Sequence, residues 1–288
     1  MKISGILSEF LDKGKSDSCP IIDMHGHYGH FNWVYMPRPE AEQMIVSMEQ
    51  QGVKALAFSS HTALFEDIDK GNDITRGVVK KYPGKFFGYI SVNPHFPDSI
   101  KKEVKEFHKQ KGFLGFKLLP DYHMHPITGK KYEAVFEYAN EYQLCVLTHS
   151  WGYSPYDGPI LMEKIAKKYP KVMLLMGHSG YGDWDTSIGV ARDYDNVYLE
   201  LTAVYATHAG IVLKWCPEKN FGIGVNGIIE KMVAGAGSEK ILFGTDLPWY
   251  SPHYAAGAIL YSKISDQDVH NIFHRNAERI FKKVGVNI

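Results

Sequence analysis

The sequence is short of disulfide-forming cysteine, of net charge and of long apolar runs. Three cysteines occur in 288 residues, Cys19, Cys145 and Cys216. Their number is odd and their spacing wide, which argues against a disulfide framework and for a reducing compartment. Lys plus Arg and Asp plus Glu each total 32, so the net charge is zero. No basic stripe is present, and a nucleic-acid partner is not expected. Nor is there a polybasic amphipathic segment that would seek a membrane surface. No run of roughly 18 apolar residues is available to span a bilayer. The opening MKISGILSEFLDKGKSDS has too short an apolar run for a secretion signal, and acidic residues interrupt it. A cytoplasmic protein is expected. CxxC pairs, a GxGxxG after the first apolar run and Pro/Gly/Ser-rich linkers are all missing too. These absences weigh against a structural zinc ribbon, a dinucleotide fold and a multidomain chain. One domain over residues 1–288 is the simplest account.

What is present is a repeat. Hydrophobic residues make up 44% of the chain, enough for a large core. Eight short apolar runs begin at residues 21, 53, 86, 113, 144, 171, 197 and 241. They read as continuous apolar stretches, as parallel strands covered on both faces do. Helical patterns lie between them. PEAEQMIVSMEQQG stops at Gly52, DSIKKEVKEFHKQKG is capped at Asp98 and stops at Gly112, and PILMEKIAKKYP ends at Pro170. Eight strand-plus-helix units predict a (β/α)8 TIM barrel, with strands from about 21 to 248 and C-terminal helices to 288. The longest gap, before the eighth run, predicts an extra loop as well as a helix.

Active sites of such barrels lie at the C-terminal ends of the strands. The polar residues at those ends are His25 and His27, then Ser59 to His61, Asn93 and His95, and Lys117 with Asp121 beyond it. His149, His178, Glu200 and Asp246 follow. Strand alternation places Asp23, His25 and His27 on one face, with Met24 and Gly26 on the other. Two imidazoles so placed form a pincer for a divalent metal, and His149 and Asp246 are candidates to complete the shell. Neutral imidazole with a carboxylate suits a mixed nitrogen–oxygen site. A single strand histidine is usually a hydrogen-bonded core residue, and HxH alone is a weak signal. HxH on the first strand, with histidines on the fifth and sixth and an aspartate on the eighth, is much stronger. Aromatic residues follow these strands in loops, among them Trp151, Tyr181 and Trp249, and favour a small, possibly cyclic, organic ligand.

The segments IIDMHGH, VLTHS, LLMGHSG, ILFGTDLPW and NAERIF resemble the amidohydrolase superfamily, and within it the amidohydrolase-2 branch. The resemblance runs from residue 21 to about 283. It implies that His25, His27, His149 and Asp246 bind one divalent metal, zinc before manganese. It implies that Asp246 and His178 are the catalytic groups. Lys117 stands where binuclear members carry a carboxylated lysine, so a two-metal site is the less favoured version. Otherwise Lys117 holds a substrate carboxylate or pairs with Glu200. With Lys117, the residues Trp151, Tyr181 and Trp249 are the expected substrate contacts. The activity expected first is hydrolysis of a small carboxylated amide, ester or lactone by metal-activated water. The alternative is non-oxidative decarboxylation of a small, possibly aromatic, carboxylic acid. A third, non-catalytic reading is a metal-binding barrel. By analogy with the branch, a homodimer is expected.

Overall fold

Each of the eight apolar runs contains a strand: β1 Ile21–Tyr28, β2 Val53–Ser60, β3 Phe86–Ser91, β4 Phe113–Leu118, β5 Cys145–Trp151, β6 Met173–Tyr181, β7 Val197–Glu200 and β8 Ile241–Leu242. The computed structural model describes residues 5–204 and 227–288. The strands pair in parallel and in sequence order, β1 through β8. The segment after β8 closes the ring on β1: Met24 N donates to Phe243 O at 2.9 Å, and His27 N to Leu247 O at 2.7 Å. With helices between successive strands, the fold is a (β/α)8 barrel. Most of the predicted extra loop before β8 falls outside the described residues; the helix predicted with it is Ile228–Ala236.

Two apolar layers hold the barrel. The outer one packs strand residues such as Leu56, Phe58, Phe116, Val146 and Leu174 against the helices. The inner one fills the lumen with Ile22, Met24, Ala57, Tyr89, Leu147 and Leu175. The C-terminal helix Asn276–Lys283 floors that lumen with Ile280 and Phe281, whose ring meets Phe87 at 4.6 Å. Apolar filling below leaves the polar residues for the upper, C-terminal face.

Two local expectations are corrected. The helix Pro97–Glu106 takes Phe96 as its N-cap and Pro97 as its first residue, so Asp98 lies in the first turn rather than at the cap. There it faces the positive end of the helix dipole. Strand alternation also fails in β1. Asp23 pairs with Leu56 and Gly26 with Phe58, so β1 carries one more residue than β2 over that interval. Such a bulge re-aims the side chains that follow it. Met24 therefore joins the lumen layer, while a Cβ on Gly26 would meet Leu56 of the outer layer at 2.6 Å. Asp23 is engaged elsewhere: its carboxylate accepts from Thr245 Oγ1 at 2.5 Å and Thr245 N at 3.2 Å, tying β1 to the segment after β8. Cys19 and Cys145 are free, buried thiols, and Cys216 lies outside the described residues. Among the described residues no helix is long and apolar enough to cross a membrane.

Candidate metal centre at the barrel mouth

His25 and His27 leave the bulged end of β1 facing Asp246. Asp246 Oδ1 lies 3.1 Å from His25 Nε2 and 3.3 Å from His27 Nε2. The ligand atoms of these three residues all lie within 4.8 Å of one another. Asp246 Oδ1 is buried and forms no aligned hydrogen bond among the described residues. Burial would raise the Asp246 carboxyl, but the neighbouring His25 and His27 imidazoles outweigh it and hold the group well below the usual carboxylate range.

Each surrounding imidazole is held by its other nitrogen. His25 Nδ1–H donates to Glu200 Oε2 at 2.8 Å. His149 Nδ1–H donates to Asp121 Oδ1 at 3.1 Å. His178 Nδ1–H donates to the carbonyl of Thr202 at 3.2 Å. Acceptor-only partners fix the tautomer, so all three rings offer an unprotonated Nε2. Burial reinforces this by disfavouring the charged imidazole. It takes His25 well below its ordinary value, and it pushes His149 and His178 down to about 4. His178 Nε2 is buried and without a hydrogen-bond partner among the described residues. Neutral imidazoles presenting unprotonated Nε2 atoms, that of His178 unpartnered, facing an ionised carboxylate with an open oxygen, are the donor set a divalent cation requires. The residues therefore fit a metal.

The remaining predicted residues divide. His149 stands across the mouth, its ring 4.9 Å from that of His178 and outside the His25–His27–Asp246 group. Trp151 stacks on His178 at 4.6 Å, and Trp249 borders the same cavity. Tyr181 does not line the cavity; it supports Trp151 from behind at 6.1 Å between ring centroids. Lys117 does not line it either. Its Nζ is buried below the mouth, 2.7 Å from His25 Nε2. Burial lowers its ammonium to about 8. The expected pairing of Lys117 with Glu200 is replaced: the Glu200 carboxylate accepts from His25, from Thr202 N at 2.7 Å and from Thr202 Oγ1 at 2.5 Å.

Three supporting residues were in view in the sequence but carried no assigned role. Asp121 accepts from Trp151 Nε1 at 2.9 Å as well as from His149. Ser59 Oγ lies 3.3 Å from His27 Nδ1. His61 donates from Nδ1 to Gly29 O at 2.7 Å and accepts the Trp249 indole N–H at 2.9 Å. Backbone strain gathers here too. His178, Ser179, Ala203 and Asp246 have φ of 64°, 51°, 63° and 58°. Non-glycine residues held in this region cost roughly 1–3 kcal/mol each and cluster at functional sites. Beside the trio lies a cavity of about 200 Å³ walled by Phe31, Phe65, Tyr122, Trp151, Trp249 and Tyr250.

Fold and site together define a parallel (β/α)8 barrel with a candidate metal centre at its C-terminal face. The chain belongs to the Amidohydrolase family, whose model matches residues 22–283. A curated relative, gamma-resorcylate decarboxylase of Polaromonas sp. (strain JS666 / ATCC BAA-500), is 22% identical over 84% of this chain and 83% of its own. Among solved structures, 2,6-dihydroxybenzoate decarboxylase from Rhizobium superposes with a TM-score of 0.68 at 16% identity, over 92% of this chain and 99% of its own. The 5-carboxyvanillate decarboxylase of Novosphingobium aromaticivorans, solved with manganese and a nitrobenzoic acid, gives 0.66 at 15% identity, over 92% and 96%. These structural likenesses concern the fold.

Proposed function

We propose that the protein is a divalent-metal-dependent, non-oxidative decarboxylase of a small aromatic carboxylic acid. The observation that carries this reading is the aromatic-walled cavity of about 200 Å³ opening directly onto His27, His178 and Asp246. A cavity of about 150 Å³ already accepts a benzene ring, so this one suits a single substituted ring. The names of the relatives favour the same chemistry, which puts decarboxylation ahead of the hydrolysis expected first from sequence.

His25, His27 and Asp246 would hold the ion, with His149 as the further ligand. Manganese is the first ion to test, ahead of zinc, because a solved relative was determined with it. When bound, such an ion supplies Lewis-acid polarisation of a substrate oxygen. The rest falls to the protein. Tyr122, Trp151 and Trp249 clamp the ring and exclude water. His178, with Nδ1–H committed to Thr202, accepts a hydrogen bond from a substrate hydroxyl at Nε2. Asp246, ionised at rest, takes the proton of the substrate's carboxylic acid group and delivers it to the ring carbon. The carbon–carbon bond to the carboxyl then breaks, CO2 departs, and its electron pair remains as the new C–H bond.

The test is a screen of hydroxylated benzoates for CO2 release by full-length protein, before and after chelation. Release that stops on chelation and returns with Mn²⁺ or Zn²⁺ supports the reading. Hydrolysis of lactones or amides with no CO2 from any aromatic acid would overturn it.

A further inference from the structure

A second cluster of metal-type side chains lies at the opposite end of the barrel. Cys19 stands just before β1, while His270 and His274 come from the C-terminal helices. Their ligand atoms all lie within 4.8 Å of one another. None of the three lines the barrel-mouth cavity.

Separate features prepare this cluster. The turn from Asn271 to Arg275, between the two histidines, is π-helical. Such wide turns are rare and concentrate at functional positions. His274 Nδ1–H donates to Glu278 Oε1 at 3.0 Å. That bond fixes the tautomer presenting Nε2, as carboxylates do behind ligating imidazoles. His270 Nδ1 lies 3.0 Å from His274 Nε2, so two ring nitrogens converge on one point. Cys19 is held in place in turn: its N–H donates to Ser16 Oγ at 3.0 Å, and Ser16 Oγ donates to Glu9 at 2.7 Å. The thiol is buried, but the His274 side chain keeps 12% exposure, which leaves an entry path.

We propose that Cys19, His270 and His274 form a second metal site, for a divalent cation of the zinc class. One thiolate and two imidazoles match the ligand preference of that ion, with water in the remaining position. Binding deprotonates the Cys19 thiol, releasing its proton to solvent, and displaces the proton shared by the two imidazoles. The ion would fasten the segment before β1 to the helical turns that lead into the helix flooring the lumen. This site stands independently of the activity proposed for the mouth.

The test uses full-length protein in which His25→Ala and His27→Ala remove the mouth trio. Loaded with Co²⁺, this variant should bind about one equivalent and show a thiolate-to-cobalt absorption in the near ultraviolet. Adding Cys19→Ser should abolish the absorption, and adding His274→Gln should weaken binding at least roughly tenfold, both with an unchanged far-ultraviolet circular dichroism spectrum. The wild-type protein, with both clusters intact, should bind about one equivalent more than the His25→Ala, His27→Ala variant. No thiolate band in the His25→Ala, His27→Ala protein would overturn the proposal. So would a band that survives Cys19→Ser in the folded variant.

Discussion

Asp246 combines three properties that rarely meet in one residue. It is ionised, it is in strained backbone at φ 58°, and one of its buried oxygens makes no aligned hydrogen bond. Asp246→Asn keeps the shape and removes the negative charge and the proton-carrying oxygen. Turnover should fall by about 10²–10⁴ with the fold retained. CO2 release by variant and wild-type protein checks this, and near-equal rates would remove Asp246 as the proton carrier. Asp121 acts one step further out. It fixes the His149 tautomer and holds the Trp151 indole. Asp121→Asn should therefore weaken metal binding or activity by about 10–100-fold, read as a shift in the metal titration midpoint with circular dichroism unchanged. The sequence made His25, His27 and Asp246 visible because they sit on or just after apolar runs. Asp121 and His61 were harder to read. Their value lies in partners 28 and 188 positions away, along loops that no hydrophobic period reports. The one signal for Asp121 was a carboxylate just beyond a barrel strand.

At the level of elements, the apolar runs located all eight strands of the described residues, yet the limits moved for a physical reason. The eighth run continues to residue 248, but β8 is only Ile241–Leu242. Beyond it the backbone turns to other partners: Phe243 N donates to Ile272 O at 3.2 Å, and Asp246 N to His25 O at 2.8 Å. Bulges are equally silent in a hydrophobic pattern, because an extra residue changes which face is presented without changing how apolar the run is. In β4, the step from Phe113 to Gly115 spans one residue of β3, Gly88 to Tyr89. That bulge lets Leu114 face the lumen and Lys117 still reach His25. Gly115 makes it possible, since a Cβ there would lie 1.8 Å from the backbone oxygen of Cys145. Backbone cannot yield as a side-chain tip can. Gly115→Ala should destabilise the barrel by about 3 kcal/mol or more, seen as a lower urea midpoint. An unchanged midpoint would show that β4 and β5 can separate at no cost.

Across the whole molecule, the pH dependence of stability is set by buried groups that pull in opposite directions. Burial pushes Asp157 up from 3.8 to about 8 and Glu200 up from 4.5 to about 7, so these carboxyls favour the folded state less and less as pH rises from their unfolded values to those raised ones. Buried histidines have the reverse sign, and His61 isolates the effect because it is no member of the metal trio. Burial, aided by the nearby His27, takes its imidazole down from 6.5 to about 3. Its two hydrogen bonds, to Gly29 O and from Trp249 Nε1–H, are both satisfied only by the neutral ring. Above pH 6.5 the ring is neutral folded and unfolded, and its contribution is fully present. Below 6.5 the unfolded chain binds a proton that the folded ring refuses, so stability falls by about 1.4 kcal/mol per pH unit until about pH 3. Gln at this position can donate to Gly29 O and accept from Trp249 without titrating. His61→Gln should therefore match the wild type near pH ~7.5 and exceed it by about 2 kcal/mol near pH ~5. Urea unfolding of metal-free protein at the two pH values measures the difference, in which the opposing slopes of Asp157 and Glu200 cancel. Equal stability of the two proteins at the lower pH would mean that the folded His61 ring takes up its proton as readily as the unfolded one.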